Sequence, residues 1–186
     1  MPKYYRDKTS FEVVRKEEIE PYILNAQNEE MRIVLALAWL TGARISEILE
    51  LKKQDFLINK ERDSITITIK AKKRGKFGFP TFSFSDPFID LVVDYVYNID
   101  NNQQKLFKKS KRRFQQMLLE LNKKIWGEKT EKYITFHYLR HSRISYLARE
   151  LGALPEELKS WTGHRSTAFE EYFAPRRTER FKGKIK

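Results

Sequence analysis

The eight-residue run IVLALAWL, Ile33 to Leu40, constrains this chain more than any other feature. It is too short to cross a bilayer, for which a helix needs roughly 20 apolar residues. It is also too uniformly apolar to lie on a surface. The run therefore predicts a helix from Asn28 to Leu40, buried on all sides and central to whatever the chain builds. Asn28 is placed to cap its first turn, and Glu29 and Glu30 suit the positive end of the helix dipole. Thr41-Gly42 ends it, because glycine supplies the backbone freedom a C-cap favours.

The rest of the pattern is helical with one interruption. Helices are expected over Glu17–Asn25, from Ile45 through Leu51, and over Pro87–Tyr97, Ser110–Trp126, His137–Leu151, Pro155–Thr162 and Ser166–Phe173. The second of these should bury Ile45, Ile48, Leu49 and Leu51. SITITIK, Ser64 to Lys70, alternates apolar β-branched and polar residues and reads as a strand with one wet face. A basic turn, AKKRGKFG, leads to a partner strand over Phe79–Phe84, where Pro80 implies an edge position or a late start. The expected class is mainly α with a small antiparallel β-sheet (α+β). With no repeat and no linker rich in Pro, Gly or Ser, residues 1–175 read as one domain. Residues 1–15 read as a loosely held lead-in, and 176–186, with six Lys or Arg, as a mobile basic tail.

Charge narrows the function. The 186 residues hold 37 Lys or Arg against 25 Asp or Glu, a net charge of +12, which points to a polyanionic partner. The excess is clustered. Lys70, Lys72, Lys73, Arg74 and Lys76 stand in one stretch, and Lys108, Lys109, Lys111, Arg112 and Arg113 lie in a second that contains no acid. With Arg165 they are candidate phosphate contacts on double-stranded DNA; the plain alternative is a solvated, solubilising face. The absence of cysteine excludes disulfides, thiolate zinc sites and cysteine nucleophiles. The polar opening segment has no apolar core for a secretory signal, so a cytoplasmic protein without a membrane partner is expected.

The chemistry-bearing residues are few. The three histidines are His137 and His141, in FHYLRH, and His164, in WTGHR. Tyr172 follows eight residues after His164, and TGARISEILELKKQDF at 41–56 places Arg44 just past the helix-ending glycine. These motifs, in this order, resemble the catalytic domain of the tyrosine recombinases, the phage- and virus-type integrases and the Xer recombinases, from about Val14 to Tyr172. The resemblance implies a tyrosine recombinase catalytic-domain fold. It also implies DNA cleavage and rejoining through a covalent 3′-phosphotyrosine, with no metal or nucleotide cofactor and with self-association in a tetramer on DNA. It assigns Arg44, His137, Arg140 and His164 to the catalytic set, Tyr172 as nucleophile, and Lys72 (with Lys73 as the alternative) as the lysine. The N-terminal core-binding domain usual in that family is absent from the expected organisation. Localisation would be with the nucleoid, or in host cytoplasm for a viral protein.

Physical chemistry supports such roles. Without a metal, fixed cations must stabilise the charge on a pentacoordinate phosphorus, and arginine forks match phosphate oxygens. His137 and Arg140 are i and i+3 on one helix and share a face. A phenol with a pKa near 10 needs assistance to attack at pH 7, for which His137 is the candidate. A lysine among other cations can release a proton to the leaving 5′-hydroxyl. Each residue also has a plain reading. Arg44 can simply pair with Glu47, which can equally orient a catalytic Arg44 from behind. His141 can be a packed helix residue, and Tyr172 can be core beside Phe173. His137 and His141 have zinc spacing, although Tyr138 stands where a metalloprotease has glutamate. Two other functions share these features: a DNA-binding regulator that cleaves weakly, and a type IB topoisomerase-like nicking-closing enzyme.

Overall fold

The computed structural model describes residues 14–71, 76–128 and 133–163. The central helix is as expected: α2 spans Glu29–Thr41, and every residue from Ile33 to Thr41 is buried. The Asn28 side chain accepts from the Met31 N–H at 2.9 Å. Gly42 closes the helix at φ 64, a left-handed conformation in which a side chain would be strained. Against α2 pack α1 (Lys16–Leu24), α4 (Pro87–Tyr97) and α6 (Phe136–Arg149). α5 (Lys111–Trp126) lies on α1, and α7 (Pro155–Thr162) lies on α6. Asp86, Ser110 and Thr135 cap α4, α5 and α6 through their side-chain oxygens.

Three expectations need correction. The helix after Arg44 is a single turn, α3 (Ile45–Ile48), not a helix through Leu51. The Glu50 and Leu51 N–H groups bond to Glu47 and Ile48, the tighter i→i+3 pattern that ends a helix. Leu49 is only partly buried there, whereas Leu51 is in the core. The second correction is a strand that the sequence pattern did not announce, β1 (Phe56–Asn59), which pairs antiparallel with β2 (Ser64–Ile67). The third is that the SITITIK strand is split. β2 pairs with the edge strand β5 (Thr81–Ser83), while β3 (Ile69–Lys70) pairs with β4 (Phe77–Gly78), inside the segment read as turn. The break falls at Phe79-Pro80 because Phe79 turns its N–H to the Ser160 carbonyl of α7 at 3.0 Å and Pro80 has none to give. Of the lead-in, Val14 is core and donates its N–H to Ser142 Oγ at 3.0 Å. The expected helix over Ser166–Phe173, the basic tail and residues 1–13 lie outside the described residues.

One buried amide fixes where α6 begins. Asn122, 2% exposed, accepts at Oδ1 from Tyr22 Oη and from the Ile134 N–H, both at 2.7 Å. Its Nδ2 donates to the Leu118 and Ile134 carbonyls, both at 2.9 Å. Trp126 Nε1 donates to Tyr22 Oη at 2.7 Å, so α1, α5 and the approach to α6 share one network. Asn122→Leu strands the Ile134 peptide and removes the Asn122 acceptor from the Tyr22 hydroxyl. It should lower unfolding free energy by about 3 kcal/mol, since each buried group left unpaired costs about 1–3 kcal/mol. Urea denaturation should show a reduced midpoint at unchanged slope.

Candidate active site

The site grows from the turn that ends α2. In Thr41–Arg44 nearly every polar group is engaged. Thr41 Oγ1 donates to the Leu37 carbonyl at 2.6 Å and accepts from the Ala43 N–H at 3.0 Å. The Thr41 carbonyl accepts from Trp161 Nε1 of α7 at 2.9 Å. The Gly42 carbonyl accepts from Arg140 Nη1 of α6 at 2.6 Å. Arg44 is the N-cap of α3 and donates its N–H to Glu47 Oε2 at 2.8 Å and its Nη1 to Glu47 Oε1 at 3.0 Å. Glu47 is 2% exposed, a buried carboxylate that fixes the Arg44 backbone and guanidinium together. The plain i,i+3 pair anticipated for Arg44 is thus present, and it points the guanidinium rather than hiding it, because Arg44 stays partly exposed.

Arg140 is the buried partner, 8% exposed, and its bond to Gly42 puts it in the same turn as Arg44. One turn earlier on α6, His137 is exposed, and its Nε2 shares a hydrogen bond with His141 Nε2 at 2.7 Å. The rings meet edge to face at 4.3 Å. Burial, then Arg140, then Arg44 pull the His137 pKa below its usual 6.5. His141 is pulled down to about 4, by burial first, then by His137 and Arg140. Both imidazoles are therefore neutral at pH 7, and both feel Arg140. Arg44, His137, Arg140 and His141 form one electrostatic unit. Among the described residues, no group of three or more His, Asp or Glu is arranged to hold a metal ion.

A second convergence lies beside it. Ala71 closes the basic turn by donating its N–H to the Lys76 carbonyl at 2.8 Å, and the β3–β4 stem packs on α3 and α7. A Cβ on Gly78 would stand 2.4 Å from the Trp161 carbonyl oxygen and 2.8 Å from the Gly163 nitrogen, so only glycine permits this approach. The stem of the turn carrying Lys72 and Lys73 is thereby pressed against the residue that precedes His164. Lys72, Lys73, Arg74, His164, Arg165 and Tyr172 themselves lie outside the described residues.

The sequence did not single out Arg143, Trp161 or Gly78. Arg143 sets its guanidinium 5.5 Å from the Tyr146 and Trp161 rings and 6.0 Å from Phe82, bracing α6, α7 and β5. Burial pulls its pKa down to about 10. The glycine-histidine motif after Trp161 was the one available signal for that region.

The two basic clusters have different surroundings. Lys70 and Lys76 are exposed on the hairpin. The second cluster, free of acids in sequence, meets them in space: Lys109 pairs with Glu30, and Arg113 with Glu120 at 3.5 Å. Neighbouring Lys105 likewise pairs with Glu50, at 2.7 Å. Lys111 and Arg112 are exposed with no acidic partner among the described residues, and Lys108, also exposed, donates its backbone N–H to Glu30 Oε1 at 3.2 Å. Glu30 lies in the first turn of α2 and Arg44 follows the helix's end. Lys109 is thus held about 16 Å along the helix axis from the arginine turn, at ~1.5 Å per residue.

The chain matches the family model described as the phage integrase family over residues 12–177. No curated protein matches it by sequence. Among solved structures it is similar to the XerH site-specific recombinase bound to difH substrate in a pre-cleavage complex. That match has a TM-score of 0.67 and 21% identity over 90% of this chain and 52% of the other. It is similar to the XerA recombinase at TM-score 0.66 and 19% identity, over 94% and 65% of the two chains. A lambda integrase dimer bound to a COC′ core site gives 0.62 and 15%, over 86% and 47%. The chain thus spans roughly half to two thirds of the length of the structures whose fold it shares.

The depressed histidines make a measurable prediction. The unfolded chain takes up protons below pH 6.5 that folded His141 refuses until about pH 4, so stability is full above 6.5 and declines between those values. Ring-proton NMR should place the His141 midpoint near 4 and that of His137 below 6.5; midpoints at 6.5 for both would refute the partly desolvated pair.

Proposed function

The chain belongs to the phage integrase family, and from that premise we propose that it is a site-specific recombinase or integrase catalytic domain acting on double-stranded DNA. The observation carrying the proposal is the pairing of Arg44 and Arg140 on one turn beside a neutral His137. Two guanidinium groups held at one place suit a phosphodiester whose charge grows on its equatorial oxygens in the transition state. A neutral imidazole can take the proton of a phenol, which a charged one cannot. In the proposed reaction Tyr172 Oη attacks phosphorus while His137 draws off its proton, and His164 completes the phosphate contacts. The bond to O5′ breaks, and Lys72, or Lys73, protonates the departing hydroxyl. The 3′-phosphotyrosine keeps the bond energy, so attack by a 5′-hydroxyl reverses the step without ATP.

Glu47 positions Arg44 in this scheme, and His141 positions His137. Lys70, Lys73, Arg74, Lys76 and Arg165 would meet DNA near the cleaved phosphate; Lys108, Lys109, Lys111, Arg112 and Arg113 would meet it farther along. Residues 1–175 would act as one catalytic domain, with 176–186 as a basic tail, and copies would assemble as a tetramer on DNA. The place of action would be the cytoplasm, on the nucleoid or in a host cell. No helix among the described residues is long and apolar enough to cross a membrane.

Incubation with nicked duplexes of randomised sequence should trap a covalent adduct on a denaturing gel. Tyr172→Phe should abolish it, and Arg44→Ala or Arg140→Ala should slow its formation by about 10²–10³-fold. Binding without an adduct at any protein concentration would indicate a regulator. Relaxation of supercoiled plasmid without recombinant product would indicate a nicking-closing enzyme. Because phosphate contacts dominate, raising salt from about 50 to 200 mM should weaken binding at least tenfold in an anisotropy titration.

A further inference from the structure

The β3–β4 hairpin displays something that none of these steps uses. Along β4 and just beyond it the side chains alternate, with Phe77 and Phe79 outward and Gly78 against α7. The two rings are 48% and 50% exposed and stack at 6.4 Å with 29° between their planes. Their outward direction is enforced from behind. Gly78 is pressed on the backbone of Trp161 and Gly163, and the Phe79 N–H is bonded to the Ser160 carbonyl, so the strand cannot rotate to bury them. Lys70 stands directly opposite Phe77 in the antiparallel register and therefore shares its face. Lys76, also exposed, precedes it. Neither lysine has an acidic partner among the described residues.

We infer that Phe77 and Phe79 form an aromatic platform that packs on the sugars and bases of DNA bordering the cleaved phosphate, while Lys70 and Lys76 meet the flanking phosphates. The inference rests on the DNA-cleaving reading and names a specific contact within it. DNA fits this patch because it joins flat apolar surfaces to regularly spaced negative charge, the complement of rings bordered by cations. A second copy of the chain fits poorly. In a two-fold contact the same patch faces itself, setting Lys70 and Lys76 against their own counterparts. The platform also adjoins the proposed chemistry, since Gly78 touches Gly163, the residue before His164.

The test is anisotropy with a mixed-sequence 30-base-pair duplex over a salt series, using wild type, F77A, F79A, the double variant, K70A and K76A. Each phenylalanine variant should bind about tenfold more weakly at every salt concentration, leaving the slope of log K against log salt unchanged. Each lysine variant should reduce that slope by about 0.9. F77Y and F79Y keep the rings and should bind as wild type. A double alanine variant that folds and binds within twofold of wild type overturns the inference. So does a variant that breaks up a dimer while leaving DNA affinity intact. As a check on unmodified protein, photocrosslinking to 5-iodouracil DNA should map to Phe77 or Phe79; crosslinks confined to other residues also overturn it. Wild type that binds no duplex at all would instead remove the DNA reading on which the inference stands.

Discussion

A guanidinium taken out of water must find an acceptor, and the architecture around the site follows from how Arg140 finds one. Its partner is the Gly42 carbonyl at 2.6 Å. The left-handed residue Gly42 ends α2, and its carbonyl faces α6 rather than continuing the ladder. Two residues later the chain reaches Arg44, so the bond that secures α6 to the core helix also sets the spacing of the two arginines. Trp161 adds α7 to the same turn through the Thr41 carbonyl. Three helices are thus registered on two consecutive carbonyls. Substituting Arg140 would therefore disturb the packing of α6 on α2 as well as the phosphate contact proposed for it, which makes activity alone a poor guide to its role.

The same burial divides labour among the cations. Arg44 is bonded to Glu47 and Arg140 to the Gly42 carbonyl. The histidines beside them are held neutral by partial desolvation and by the arginines' own field. A guanidinium and two neutral imidazoles in this way share one face of α6. Glu47 holds Arg44 by both its backbone N–H and its guanidinium.

What the sequence disclosed follows the range over which each feature acts. α2 was legible because its apolar run, its Asn28 cap and its terminating glycine are all local. That His137 and Arg140 share a face was legible because an i, i+3 spacing on one helix is local, whereas their grouping with Arg44 was expected only from the family resemblance. β1 was not, because FLIN has no alternation and leaves Leu57 and Ile58 exposed. The splitting of the sheet at Phe79-Pro80 was not, since it depends on Ser160, far along the chain. Asn122, Arg143, Trp161 and Gly78 likewise act through partners distant in sequence, and nothing beside them announces it. The cluster around Lys109 looked unopposed only because Glu30, its partner, lies 79 residues upstream. For Lys72, His164 and Tyr172 the sequence remains the whole of the argument.

The contact between Gly78 and Gly163 has a mechanical consequence. Main chain rests on main chain there, with no rotamer to yield and no methyl to cushion a shift. Any displacement of the β3–β4 stem must therefore be shared by the end of α7, or else part the two backbones.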